Sequence, residues 1–122
     1  KTVYDYLEKR SGVKIYNLCG LTTIRETIAI LNKVDLVITL DTSMAHLAGL
    51  AGVNNIIIIY GPTNERQWKP NAPRSNIYQV YVDLPCRPCL TRVCSHRNCL
   101  NKIDTDSITT ILDKIIRPKI VV

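Results

Sequence analysis

Asn55-Ile56-Ile57-Ile58-Ile59-Tyr60-Gly61-Pro62-Thr63 decides the fold class of this 122-residue chain. Four consecutive isoleucines are apolar on both faces, as a central strand of a parallel sheet must be. Asp35–Leu40, with Leu36, Val37 and Ile38, is a second buried strand upstream of it. Between the two, Ser43–Ala51 is predicted to be a short helix closed at Gly52. Strand, helix, strand in this order is the unit of a parallel α/β sheet.

The same alternation continues outward. Val3, Tyr6 and Leu7 suggest a partial helix up to Arg10, ended at Gly12. Val13–Leu18 has the pattern of a strand. Thr23 and Glu26 have capping-box spacing, and Ile24, Ile28 and Leu31 follow at helical spacing, so Thr23–Lys33 is a predicted helix. Ile77–Val82 is a third core or edge strand. Asp104–Arg117 closes the pattern: Ile108, Ile111, Leu112, Ile115 and Ile116 form one apolar stripe. The expected architecture is a Rossmann-like, doubly wound parallel sheet with flanking helices. Ligands of such sheets bind outside the carboxyl ends of the strands. That directs attention to the loops Cys19–Thr22, Asp41–Ser43 and Gly61–Arg66.

Length and composition agree with a single domain over residues 1–122. The hydrophobic fraction is 46% and the charged fraction 21%, which excludes a disordered or fibrous chain. No apolar run approaches the roughly 20 residues of a spanning helix. Lys1-Thr2-Val3-Tyr4-Asp5 lacks the apolar stretch of a secretory signal. It also lacks an initiator Met, so the chain is expected to be a piece of a longer protein. The net charge is +6, and all of the surplus lies between Arg66 and Lys102, where seven bases (Arg66, Lys69, Arg74, Arg87, Arg92, Arg97, Lys102) face one acid, Asp83. A basic segment suits phosphates, nucleic acid or an anionic membrane, and equally a solvated surface.

Asp41-Thr42-Ser43-Met44-Ala45-His46 runs from a strand end into a helix start. A helix N-terminus offers unpaired N–H groups and about half a positive charge, which suit a phosphate. Thr42 and Ser43 add hydroxyls, and His46 lies in the first turn. Asp41 would repel phosphate, so it caps the helix or accepts from a sugar hydroxyl. These residue types also make a plain N-cap. Gly61, Pro62 and Thr63 form a neighbouring turn in which glycine allows close ligand approach. Glu65 stands beside Arg66, its expected partner.

Cys86-x2-Cys89-x4-Cys94-x4-Cys99 sits in a cysteine-rich loop at residues 85–100. Four thiols so close can make a tetrahedral structural zinc site, with His96 as a fifth candidate ligand. They can also pair as disulfides, or pack as buried thiols under the last helix. Cys19 stands apart and has the look of a small core residue at a strand end.

In order and spacing, several motifs together resemble the C-terminal half of glycosyltransferase family 9, the lipopolysaccharide heptosyltransferases. They are Leu18-Cys19-Gly20-Leu21-Thr22, Asp41-Thr42-Ser43-Met44-Ala45-His46-Leu47-Ala48, Gly61-Pro62-Thr63 with Trp68 and Pro70, and Pro85-Cys86-Arg87-Pro88-Cys89 with Cys94 and Cys99-Leu100. The resemblance implies the donor-binding half of a GT-B fold. It implies inverting transfer of heptose from a nucleotide sugar, typically ADP-heptose, to a lipid A–core acceptor. It places this at the cytoplasmic face of the inner membrane, with peripheral membrane contact and no required cofactor. Asp41, Thr42, Ser43, Met44 and His46 match its donor-phosphate and sugar loop. Gly61, Pro62 and Thr63 match the adjoining pocket loop. The family commonly has glycine where Ser43 stands; serine keeps a small donor but restricts the backbone. Its general base lies in the other half, so no catalytic residue is expected here and the chain alone should be inactive. The alternatives are a member using another nucleotide sugar, or a zinc-stabilised basic module that binds nucleic acid. Against the latter, the basic segment has few aromatics beyond Trp68, Tyr78 and Tyr81 and no nucleic-acid motif.

Overall fold

Three strands run parallel in the order β1 (Leu36–Leu40), β2 (Asn55–Ile59), β3 (Asn76–Val80) in a computed structural model of the chain. The structure describes residues 3–89, 91 and 93–117. The isoleucine strand is central, as its two apolar faces require. Ile56, Ile57 and Ile58 are all fully buried. Among the described residues, five helices accompany the sheet: α1 (Val3–Ser11), α2 (Ile24–Leu31), α3 (Ser43–Ala51), α4 (Asn98–Asn101) and α5 (Thr105–Ile116).

Local chemistry sets the helix ends. Thr23 caps α2: its hydroxyl accepts from the Glu26 N–H at 3.3 Å, and the Glu26 carboxylate accepts from the Thr23 N–H at 2.8 Å. The Thr23 N–H, and the Thr23 hydroxyl that also donates to this carboxylate at 2.8 Å, hold the Glu26 carboxyl below its ordinary pKa, because they favour the charged form. Gly52 ends α3 at φ 73°, a left-handed conformation that glycine adopts without a Cβ penalty. Asp104 caps α5 through its carboxylate, which accepts from the Asp106 N–H at 3.0 Å.

The α3 helix crosses between β1 and β2 and packs with α2 on one face of the sheet. There Leu31, Ala45, Ala48, Val53, Ile56, Ile58 and Tyr60 form the core cluster. Small residues on α3 let its backbone come close. A Cβ on Gly49 would lie 2.8 Å from the Ala72 Cβ, so residues 70–72 would have to move. Gly→Ala inside a helix ordinarily gains about 1 kcal/mol. At Gly49 the overpacking, about 1–3 kcal/mol, outweighs it. Gly49→Ala is therefore expected to lower the urea midpoint; a raised midpoint would show that the 70–72 segment yields freely.

The structure departs from the sequence expectation at several places. Residues 13–18 are not a strand, and Val13, Tyr16 and Leu18 are exposed. A strand needs a neighbour to complete its ladder, and no described strand lies beside this segment. Cys19 consequently sits on an exposed turn rather than in a core. On α5, Ile108, Ile111, Leu112 and Ile115 are half-buried, but Ile116 is exposed. The third strand stops at Val80, two residues early, and the one-turn α4 was not expected. The Val3 side chain and the basic Arg92 lie outside the described residues.

Candidate functional site

Leu40 pairs with Ile59, so β1 and β2 end side by side. The ladder runs one step further: the Asp41 N–H donates to the Ile59 carbonyl at 3.2 Å, and the Tyr60 N–H to the Val80 carbonyl at 2.9 Å. The predicted loops 41–43 and 61–63 thus leave the sheet at one edge, as the sequence expectation required. Asp41 is half-buried there, and Thr42, Ser43, Met44 and His46 are exposed.

Thr42 is the N-cap of α3. Its hydroxyl accepts from the Met44 N–H at 3.3 Å, and its carbonyl from the Ala45 N–H at 3.0 Å. The Met44 and Ala45 N–H groups of the first turn are therefore already occupied. The Ser43 N–H is the donor that the helix itself cannot use. The Met44 bond is long, so an anion competes with Thr42 for that donor.

Loop 61–63 is held by a segment the sequence treated only as charge and cysteines. The buried Arg87 guanidinium donates from Nε to the Gly61 carbonyl at 2.7 Å, and from its NH2 nitrogen to the Thr63 carbonyl at 2.8 Å. Its NH1 nitrogen donates to the Val82 carbonyl at 3.0 Å. Glu65 pairs with Arg87 at 3.3 Å, not with its neighbour Arg66. The Arg87 side chain is only 6% exposed, which removes it from the solvated basic surface. Close by, the Cys89 N–H donates to the Pro62 carbonyl at 2.8 Å. Gly61 itself has an unexpected reason: a Cβ there would stand 3.1 Å from a Leu100 methyl. Packing against Leu100, beside any approach of a ligand, therefore favours glycine.

Among the described residues, two of the cavities lie at this edge. One, of about 270 Å³, is lined by residues that include Thr63, Glu65, Arg66, Tyr81 and Asp83. Its Thr63 hydroxyl is buried without a hydrogen-bond partner. The other, of about 680 Å³, lies between Pro62 and the cysteine-rich segment and includes Cys86, Cys89, Cys94, His96 and Cys99 in its wall. The cysteines thus adjoin the 61–63 loop instead of lying apart from it. All are free thiols. Among the described residues, no three His, Cys, Asp or Glu side chains come together as a metal would need. The Cys89 thiol is held below its ordinary pKa by hydrogen bonds from the Thr91 hydroxyl and N–H. Beneath the edge, burial holds the Tyr60 phenol above its ordinary pKa, and the Asp41 and Glu65 carboxylates add to the effect.

Sequence comparison adds relatives to this geometry. Residues 2–100 match the profile of Glycosyltransferase family 9 (heptosyltransferase). The chain is 29% identical to Lipooligosaccharide heptosyltransferase 2 of Campylobacter jejuni serotype O:6 over 118 residues, 95% of the chain and 36% of that protein. It is 32% identical to Lipooligosaccharide heptosyltransferase 2 of serotype O:2 over 108 residues, 87% of the chain and 33% of that protein. The chain therefore spans about a third of the length of these curated relatives. No solved structure matches it significantly. Among the described residues no helix is long and apolar enough to cross a membrane.

Proposed function

The chain belongs to glycosyltransferase family 9, and from that premise we propose that it is the single donor-binding domain of an inverting heptosyltransferase, with ADP-heptose as donor and a lipid A–core as acceptor. The observation that carries this reading is the pairing of two loops at one sheet edge. There the capped N-terminus of α3 lies beside the turn at 61–63. The relatives' names supply the class of sugar and acceptor. The setting is the cytoplasmic side of the inner membrane, where a lipid-linked acceptor meets a water-soluble donor.

In this reading the diphosphate sits on the Ser43 N–H and the positive end of α3, and takes the Met44 N–H from Thr42. His46, one turn along, donates to the same oxygens. Asp41 is kept back from the phosphates and accepts from a sugar hydroxyl. Pro62 and Thr63 wall the pocket. The leaving group is a nucleoside diphosphate, so the domain's contribution to chemistry is to hold negative charge as it develops on the departing oxygen.

A thermal-shift series tests it. ADP at a hundredfold excess over its Kd should stabilise the folded chain by about 2.7 kcal/mol. Stabilisation by oligonucleotide and not by ADP would overturn the reading. Within the site, His46→Ala is expected to weaken ADP by about 1.5–3 kcal/mol, the worth of a hydrogen bond to a charged group. His46 is exposed, so the fold should be untouched. Calorimetric titration showing unchanged affinity would remove His46 from the site.

A further inference from the structure

The best-satisfied polar group at the sheet edge is a side chain outside both donor loops. Arg87 lies twenty-six positions from Gly61 and twenty-four from Thr63, yet it donates to both of their carbonyls. A third bond reaches the Val82 carbonyl just past β3, and the ion pair to Glu65 completes the set. The guanidinium also lies over the Tyr81 ring, 5.0 Å from its centre. A planar fork with five fixed donors can bridge several carbonyls at once, which a lysine ammonium cannot do in the same geometry.

This arrangement is costly unless it fixes something. A buried cation needs several good partners, and here two of the three main-chain carbonyls, together with the Glu65 carboxylate, belong to one turn. Two further bonds tie the 61–65 turn, the Cys89 N–H to the Pro62 carbonyl at 2.8 Å and the Gln79 side-chain amide to the Glu65 carbonyl at 2.7 Å, but only Arg87 reaches Gly61 and Thr63 with one group. We propose that Arg87 is a positioning residue for the nucleotide-sugar pocket: it sets the backbone of 61–65, and through it donor affinity, without touching the donor. This rests on the assignment of 61–63 to the donor pocket.

Two variants of the 122-residue chain, Arg87→Lys and Arg87→Met, test it, with ADP as the probe. Amide hydrogen exchange is expected to speed up at least tenfold in residues 63–67. Exchange in β1 and β2 should stay as in the parent chain. ADP affinity is expected to fall tenfold or more in both variants, with lysine failing to rescue. Unchanged exchange at 63–67 in a folded variant would overturn the proposal. So would faster exchange there with undiminished ADP affinity. If the parent chain does not bind ADP, the pocket assignment fails, and the exchange result alone decides whether Arg87 holds the turn. If Arg87→Met does not fold, Arg87→Lys, which keeps charge and length, carries the test.

Discussion

Given ADP-heptose and a truncated lipid A–core acceptor, the 122-residue chain is expected to transfer no heptose. Inverting transfer needs a base to take the acceptor hydroxyl's proton, a contribution of about 10²–10⁴-fold. Three acids lie near the donor edge. Asp41 is half-buried at the strand end, where the proposed donor itself sits. The Glu65 carboxylate is only 18% exposed and is engaged by Arg87. Asp83 is exposed and lines the 270 Å³ cavity with Glu65 and Arg87. In the proposed reading the general base belongs to the part of the enzyme outside this chain. The acceptor side of the cleft is a second loss, since correct placement of two reactants is itself worth several kcal/mol. Joining the chain to the remaining two thirds that its relatives possess should restore turnover. Product analysis by mass spectrometry checks both arms. Heptose transfer by the isolated chain would overturn the half-enzyme reading and direct attention to Asp83.

Ile58→Ala is expected to cost about 2–5 kcal/mol, the range for deleting most of a buried aliphatic side chain. Ile58 is fully buried on the central strand, in one cluster with Ala45, Ala48 and Tyr60. Its neighbours cannot readily close the gap. The α3 helix already presents alanines, and it is capped at both ends by Thr42 and Gly52. At about 4 °C per kcal/mol for a chain of this size, the thermal midpoint should fall by about 8–20 °C. Ile58→Val should cost only about 0.5–1.5 kcal/mol. A midpoint shift below 3 °C for the alanine variant would mean that the sheet is not the stabilising core.

Much of the fold was legible because its determinants are local. The isoleucine run, the Thr23 and Glu26 capping box and the Gly52 terminus each depend on residues within a turn or a strand of one another. Thr42 shows where local reading overreached. The same N-cap that marks the helix start uses two donors that a phosphate was expected to find open. The cysteines show the opposite. Their spacing suggested a ligand set, and only the structure shows that they also wall a cavity against Pro62.

Residue order alone determined that strands alternate with helices, that 56–59 is the central strand, and that 41–43 and 61–63 leave the same edge. Burial on both faces and 3.6-residue periodicity are properties of short windows, so they survive without knowledge of the rest. Tertiary structure decided what depends on distant partners. Residues 13–18 form no strand because a ladder needs a neighbour that the pattern cannot name. Gly61 is constrained by Leu100, thirty-nine positions away. Arg87, counted in the sequence as one of seven surface charges, is instead buried under the turn it holds. A charge is worth burying only where several acceptors converge, and that convergence exists only once the chain has folded.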